Sequence, residues 1–365
     1  MRENLSGLLQ SLMPTLKQTL QQPLTQAVVA LAVLVGTSPA SAAICSKRNS
    51  PKKIANLDAT ILPESSGLAA SQLFPQRLYH VNDSGDGSFF YVSDEEGGHL
   101  DKVEIENFTA HDVEDLAVGA CGEQNCIFIA DIGDNKRERS TIDLVLIAES
   151  AGFKNSVKPL HHLTLRYPDR PHDAEAIVVH PNGDIYIFTK EFSKEDRKAE
   201  PAMVFRLDKE DLFATSTETL KKVGAIDLPW LNFEYGLWGQ VITSAAISED
   251  GKSLAILTYD AIIDFNLENL NGVDLPDVRS LEAGKDYLIT DLLRLTLQQE
   301  AVTFRPGTQT LLFTSETADS GVAPLYKIDC EGGSRTGYAA AAEYMRTGEK
   351  RHRSKKRSSK SAKRR

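Results

Sequence analysis

Between residues 50 and 330 the apolar positions fall in short runs rich in Val, Ile, Leu, Phe and Tyr. Gly, Pro, Asn and Asp bound them, which is the pattern of β-strands. Four runs make a unit. The first unit is Gly67–Ala70, Arg77–Asn82, Phe89–Ser93 and Leu100–Ile105. The second is Asp115–Val118, Cys126–Ala130, Asp143–Ala148 and His162–Tyr167, and the third is Ala176–Val179, Asp184–Thr189, Met203–Leu207 and Lys222–Ile226. The fourth takes Ala246–Ser248, Ser253–Thr258, Ala261–Asn266 and Tyr287–Leu295. The fifth has Ala301–Phe304, Thr310–Thr314 and Leu325–Asp329, then runs out of chain before a fourth strand.

Each unit opens on the same phrase: a polar start, a small residue, a branched apolar residue, then a turn. The five copies are Glu64-Ser-Ser-Gly-Leu-Ala, Asp112-Val-Glu-Asp-Leu-Ala, Asp173-Ala-Glu-Ala-Ile-Val, Thr243-Ser-Ala-Ala-Ile-Ser and Gln298-Gln-Glu-Ala-Val-Thr. Aligned this way, Ser66, Glu114, Glu175, Ala245 and Glu300 share a position. Repeats of this length built from short strands predict an all-β propeller of four-stranded antiparallel blades. Five units are counted, and a divergent sixth within 196–243 or 265–297 stays open. The spare segment Ile54–Ile61 is expected to complete the last sheet and close the ring.

Loop lengths assign the working face. The first-to-second strand links, such as His180-Pro-Asn-Gly and Ser248-Glu-Asp-Gly, are tight hairpin turns. The other links on the opposite face are longer and chemically loaded. In a meander the start of each first strand and the end of each second strand meet at one mouth of the axis. That mouth receives Glu64, Asp112, Glu114, Asp173, Glu175 and Glu300 from strand starts. Strand ends add Asn82, Asp83, Asp131, Asn135, Lys190 and Tyr259, with Arg137 in a dense polar loop beside Asp131.

Asp112 and Glu114 are two apart on an extended chain and point the same way, and Asp173 and Glu175 repeat this. So many carboxylates at one place need a cation or shared protons. Oxygen-only donors suit Ca2+ first, with Mg2+ or Mn2+ behind it. The candidate metal ligands are therefore Glu64, Asp112, Glu114, Asp173, Glu175 and Glu300. The alternative is that these acids cap backbone N–H groups at loop ends. His111 and His172 precede the Asp of each pair, as ligands or as packing between blades. Lys190 is either ion-paired to the acids or free to hold an anionic group. Trp230 and Trp238 lie in one loop, Trp230-Leu-Asn-Phe-Glu-Tyr-Gly-Leu-Trp238, which makes either a stacking flap over the mouth or a plug.

Composition adds three constraints. Residues 1–42 have the form of an export signal: Arg2 and Lys17, an apolar run Ala27–Val35, and a small-residue site Ala40-Ser-Ala42. An uncleaved anchor remains the alternative. The protein is expected in the periplasm or outside the cell. Four cysteines fit an oxidising compartment, with the pairs Cys121–Cys126 and Cys45–Cys330 favoured because the second would join the two ends of the ring. Finally, the net charge of −10 conceals two opposite parts. Residues 346–365 hold 11 Lys/Arg against Glu349, and the leader two bases against Glu3, so residues 43–345 carry −21. Such a body repels nucleic acid and attracts cations. Residues 336–365 are expected to be a disordered basic tail: a solubilising end, an adhesive for anionic lipid or polysaccharide, or a segment that docks on its own acidic body.

The phrases Ser66-Gly-Leu-Ala, Asn82-Asp-Ser-Gly, Glu114-Asp-Leu-Ala and Ile132-Gly-Asp-Asn resemble secreted bacterial propellers of the phytase-like kind, and the wider pattern is similar to calcium-dependent gluconolactonase-like propellers. The resemblance covers most of 50–330. It implies an acidic central cleft that binds metal and a hydrolysable ligand, with Glu64, Glu114, Glu175 and Glu300 as first candidates. Two departures stand against it: five units where those families have six, and no cluster of Lys and Arg for a polyphosphate. The leading expectation is a monomeric, metal-dependent hydrolase of a phosphoester, lactone or other ester. In it Glu114, Glu175 or Glu300 serves as base, with Lys190 beside them. The alternative is a non-catalytic propeller that binds a small molecule, glycan, peptide or envelope partner.

Overall fold

The computed structural model describes residues 45–331 apart from 84, 271, 274, 276, 294, 297 and 318–320. The expected export signal and basic tail lie outside the described residues. Five antiparallel sheets are arranged as blades around an axis, so the fold is a five-bladed propeller. In each blade the strands A to D run outward from the axis. The A strands are Ser65–Ala70, Val113–Cys121, Ala174–Val179, Ile242–Ile247 and Gln299–Phe304 in blades I to V, each packed against the next to close the ring.

Radial position decides composition. The A strands of blades I, III and V are buried along their whole length, and the inner faces meet neighbouring blades on both sides. Such strands read as continuous apolar or small-residue runs, as in Ser65-Ser-Gly-Leu-Ala-Ala. The D strands are half-covered and alternate, as in Asp101–Ile105 and His161–Arg166. Two blades gain a fifth strand. Ser156–Val157 pairs parallel with Asp101–Ile105, and Glu218–Thr219 pairs parallel with His161–Arg166. Each comes from the next blade and covers an edge that would otherwise expose unpaired backbone.

Lys52–Leu57 pairs antiparallel with Ala323–Ile328 and supplies the missing fourth strand of blade V. Cys45 bonds Cys330, and Cys121 bonds Cys126 across the blade II hairpin turn. Buried Arg48 adds a further tie: its Nε donates to Asp264 of blade IV at 2.8 Å. The segments left open for a sixth blade hold something else. Residues 196–243 contain part of a small hairpin (Phe192–Ser193 with Lys198–Ala199), the outer strands of blade III, the edge strand Glu218–Thr219 and three short helical turns. In 265–297, Leu267, Leu270, Val273 and Val278 pack into the core shared by blades III and IV.

Every A–B pair carries a register shift near its start: between Ser65 and Gly67, Val113 and Asp115, Ala174 and Ala176, Ile242 and Ser244, and Gln299 and Ala301. A bulge there leaves one residue unpaired and re-aims its side chain. The bulged residues are Ser66, Glu114, Glu175, Thr243 and Glu300, all buried. This corrects the blade IV frame: Thr243, not Ala245, stands where the other blades carry Glu or Ser. Aligning on the small-then-branched pair Ala246-Ile247 moved the phrase by two residues.

Candidate functional site: the acidic mouth of the axis

The five bulges form the floor of the mouth. Two of the side chains tie blades together. Ser66 Oγ donates to the Glu114 carbonyl at 2.5 Å, and Thr243 Oγ1 donates to the Gln299 carbonyl at 2.7 Å. The other three are glutamates. One residue deeper, Asp115 crosses toward the axis. Its carboxylate accepts from Leu116 N at 2.8 Å, Ile177 N at 3.1 Å and Ser244 Oγ at 3.4 Å. It is fully buried, and burial holds its carboxyl well above the usual range against those three donors. Below it, toward the opposite face, the A strands line a partly open pocket of about 50 Å3, with Leu68, Leu116, Ile177 and Val302 beside Gln72, Glu249 and Thr303. That is far below the roughly 300–1,000 Å3 of ordinary ligand pockets, so the chemistry of the axis belongs to the mouth above it.

The mouth has two halves. In the half built by blades I and II, Asp83, Asp112 and Glu114 each offer an oxygen, and these lie within 4.8 Å of one another. Glu114 is 3% exposed, and among the described residues its carboxylate has only a 3.5 Å contact from Ser66, whose hydroxyl is already committed. Burial, then Glu175 and Asp83, hold Glu114 well above the ordinary carboxyl range. Burial, then Asp83 and Asp173, push Asp112 up to about 6. Gly133 closes this half. A Cβ there would meet Asp112 Oδ2 at 2.6 Å and would also strike Glu114 Oε1.

In the half built by blades III to V, Lys190 Nζ lies 2.8 Å from Glu175 Oε1 and donates to Tyr259 OH at 3.1 Å. Burial alone would lower Lys190, yet Glu175, Tyr259 and Glu300 hold it well above its usual value. Glu175 is raised despite this partner, because burial and the nearby Asp173 outweigh the ammonium. Glu300 is buried, and its Oε2 has no hydrogen-bond partner among the described residues. Burial, with Glu175 and Glu316 nearby, raises it well above the ordinary range although Lys190 opposes this. Burial, Asp83 and Glu64 push Glu316 up to about 7.

The remaining candidates divide between rim and frame. Exposed Glu64 stands near Glu316 on the rim. Asp173 accepts from Asp134 N at 2.9 Å. Asn82 is committed to the backbone, donating to the Ile61 carbonyl and accepting from Glu64 N. Asp131 accepts from His111 N and Asp112 N and pairs with Arg139 at 2.8 Å. Arg137 reaches Glu191 and the carbonyls of Lys190 and Phe192, so it fastens one loop to another. Asn135 is exposed, with its carbonyl bonded to Lys194. His172 is buried between Glu191 and Asp169, packed on Tyr167 and Phe205, whereas the His111 side chain is open. Trp238 is 59% exposed and meets Tyr259 edge-on with centroids 5.5 Å apart. Trp230 is 56% exposed and takes Arg279 on its face. The aromatic loop therefore overhangs rather than plugs. The sequence reading missed Asp115 and Gly133. The signal for the first was an acid inside an apolar strand, and for the second a glycine directly before the acid-rich loop.

A divalent cation fits this donor set. Ligands of one Ca2+ at roughly 2.3–2.6 Å lie at most about 5 Å apart, and the three carboxylate oxygens of Asp83, Asp112 and Glu114 meet that limit. The room left by Gly133 lies directly against two of them.

No family model matches the chain, and no curated protein does. The β-propeller domain of Cps50 (Swd1) from Myceliophteria thermophila is similar at 15% identity and a TM-score of 0.38, over 72% of this chain and 83% of that one. Sqt1 of Chaetomium thermophilum, bound to the N-terminus of ribosomal protein L10, is similar at 15% identity and a TM-score of 0.34, over 73% of this chain and 72% of that one. At this distance the likeness concerns the fold alone.

Proposed function

We propose that this is an exported binding propeller that holds a divalent cation, Ca2+ first, in the half-mouth of Asp83, Asp112 and Glu114, and through it a small-molecule or glycan ligand that reaches toward Trp238. The observation that carries the reading is the convergence of three carboxylate oxygens within 4.8 Å beside a glycine that leaves their space unfilled. The disulfides support an oxidising compartment. When bound, the cation would neutralise the cluster and offer its remaining coordination positions to ligand oxygens. The protein's own groups tie the floor together, through Asp115, and fix the flank, through Lys190 and Tyr259. Calorimetric titration of Ca2+ and Mg2+ tests the reading. One site per chain, weakened at least tenfold in Asp112→Asn, is expected; equal heats for the two chains would overturn it.

A second reading, metal-dependent hydrolysis of an ester or phosphoester, is favoured by one observation. Asp112 and Glu316 are half-buried carboxyls pushed up to about 6 and about 7, where a side chain both takes and returns protons near neutrality. Turnover of chromogenic esters or phosphoesters that is lost in Glu316→Gln would establish it. No turnover on a broad panel with Ca2+ present would leave the binding propeller.

A further inference from the structure

The acids of the mouth exceed the cations beside them. Among the described residues at the mouth, Lys190 serves Glu175 and Tyr259. Arg139 is taken by Asp131 and Asp143, and Arg137 by Glu191. Glu300, 5% exposed, keeps an oxygen with no hydrogen-bond partner. The same chain carries a segment of the opposite sign, since residues 346–365 hold 11 Lys/Arg and one acid. We propose that this basic segment, Arg346–Arg365, is the occupant of the mouth when no metal is bound, its cationic groups lying among Asp83, Asp112, Glu114 and Glu316 and against the open indole of Trp238. The inference rests on the mouth being a cation site. It adds that the metal competes with part of the protein itself.

Reach permits it. Ala323–Ile328 is the third strand of blade V and starts at the mouth, so Cys330 and Glu331 leave the opposite face. Cys330 is held there by Cys45, and Glu331 N donates to the Lys47 carbonyl. The 15 residues from 331 to 346 span up to about 50 Å extended. A six-residue strand, the depth of the disc, is about 20 Å. The segment therefore can round the edge and enter the mouth. Tethering places it there at an effective concentration of the order of millimolar. A guanidinium over an indole face adds a contact that a simple metal ion lacks, and Trp238 offers an open one.

Zero-length carbodiimide coupling of lysines to carboxylates in the full chain tests this, read by peptide mass spectrometry at low salt, in molar NaCl and in excess Ca2+. Lys350, Lys355 or Lys356 joined to Asp83, Asp112 or Glu316 is expected at low salt, and both NaCl and Ca2+ should abolish the links. A full-length variant with K350Q, R351Q, R353Q, K355Q, K356Q and R357Q should bind Ca2+ about tenfold more tightly than the parent, because a tethered competitor has been removed. Links scattered over the acidic body in proportion to exposure would overturn the proposal. So would links between isotopically distinct copies, or equal Ca2+ affinity in the two chains. Localised links in a chain that binds no Ca2+ would keep the docked segment and discard the metal reading instead.

Discussion

The two halves of the mouth start from one repeated phrase and end with different chemistry. In blades I and II the bulged glutamate, Glu114, meets Asp83 and Asp112 and, among the described residues, no side-chain cation within bonding distance. In blades III to V the bulged glutamate, Glu175, meets Lys190, which Tyr259 braces from the far side. The backbone device is identical: one extra residue at the head of strand A. The end of the partner strand makes the difference. It offers Asn82-Asp83 in blade I and Asp131 in blade II, but Lys190 in blade III. A repeat thus positions a side chain, and the neighbouring strand decides whether its charge is neutralised internally or left for a ligand.

The largest effect is expected from removing the neutraliser. Lys190→Met leaves Glu175 and Glu300 buried with no cation, and breaking a buried pair in this way costs about 3–5 kcal/mol. The loss should be larger at pH 8 than at pH 5, because the stranded acids escape by taking up protons at low pH. Denaturant unfolding at the two pH values measures this, and a cost that does not change with pH would mean that Lys190 acts through packing instead.

The mouth acids that are not hydrogen-bonded to Lys190 predict a pH dependence of the metal-free protein. Asp112 and Glu316 have folded-state values of about 6 and about 7, raised from 3.8 and 4.5. The folded chain then holds protons that the unfolded chain has released, so stability is greatest below about pH 4 for these groups and falls as pH rises through 6 and 7. Calcium should flatten the fall by replacing the protons. Melting temperatures from pH 4.5 to 8, with chelator and with Ca2+, decide the point. A metal-free curve that rises over this range would refute the account of the cluster.

Much of this division was legible before any coordinates. The strands followed from bounded apolar runs, the ring from the repeated phrase, and closure from the spare segment before Glu64, observed as Lys52–Leu57 on blade V. Asp112 and Glu114 do come together, but through the bulge at Glu114 rather than the two-residue period of an extended strand, since Asp112 lies before the strand Val113–Cys121. What failed to show was whatever depended on partners remote in sequence. Asn82 and Asp131 look like ligands in a list of polar strand ends, yet both are consumed by backbone groups 18 to 21 residues away. In blade IV no acid marked the bulge, so Thr243 was hidden by an alignment on apolar neighbours. Gly133 carried meaning only through what its missing side chain would strike.

That glycine gives the next prediction, intermediate in size. Gly133→Ala introduces a methyl group 2.6 Å from Asp112 Oδ2, so the carboxylates of the open half must part. Supporting residues around a metal typically change its affinity by about 10–100-fold. Calcium affinity should fall by that order while the Lys190 half keeps its pH response. An unchanged affinity would place the cation elsewhere in the mouth.

The smallest expected effect on stability belongs to the rim. Trp238 is 59% exposed, and its main contact is the edge of Tyr259, so Trp238→Ala should cost no more than about 0.5 kcal/mol. Its position is informative even so. Tyr259 connects Trp238 to Lys190 and Glu175, whereas Trp230 lies against Arg279. Terbium, an oxygen-seeking stand-in for calcium that emits when a nearby indole is excited, separates the two tryptophans. Trp238→Ala should lose most of the sensitised emission and keep its terbium affinity by calorimetry, while Trp230→Ala should keep both. Equal losses in the two variants would show that the aromatic loop does not hold Trp238 nearer to the open half than Trp230, and the joint use of both halves by one ligand would lose its geometric basis.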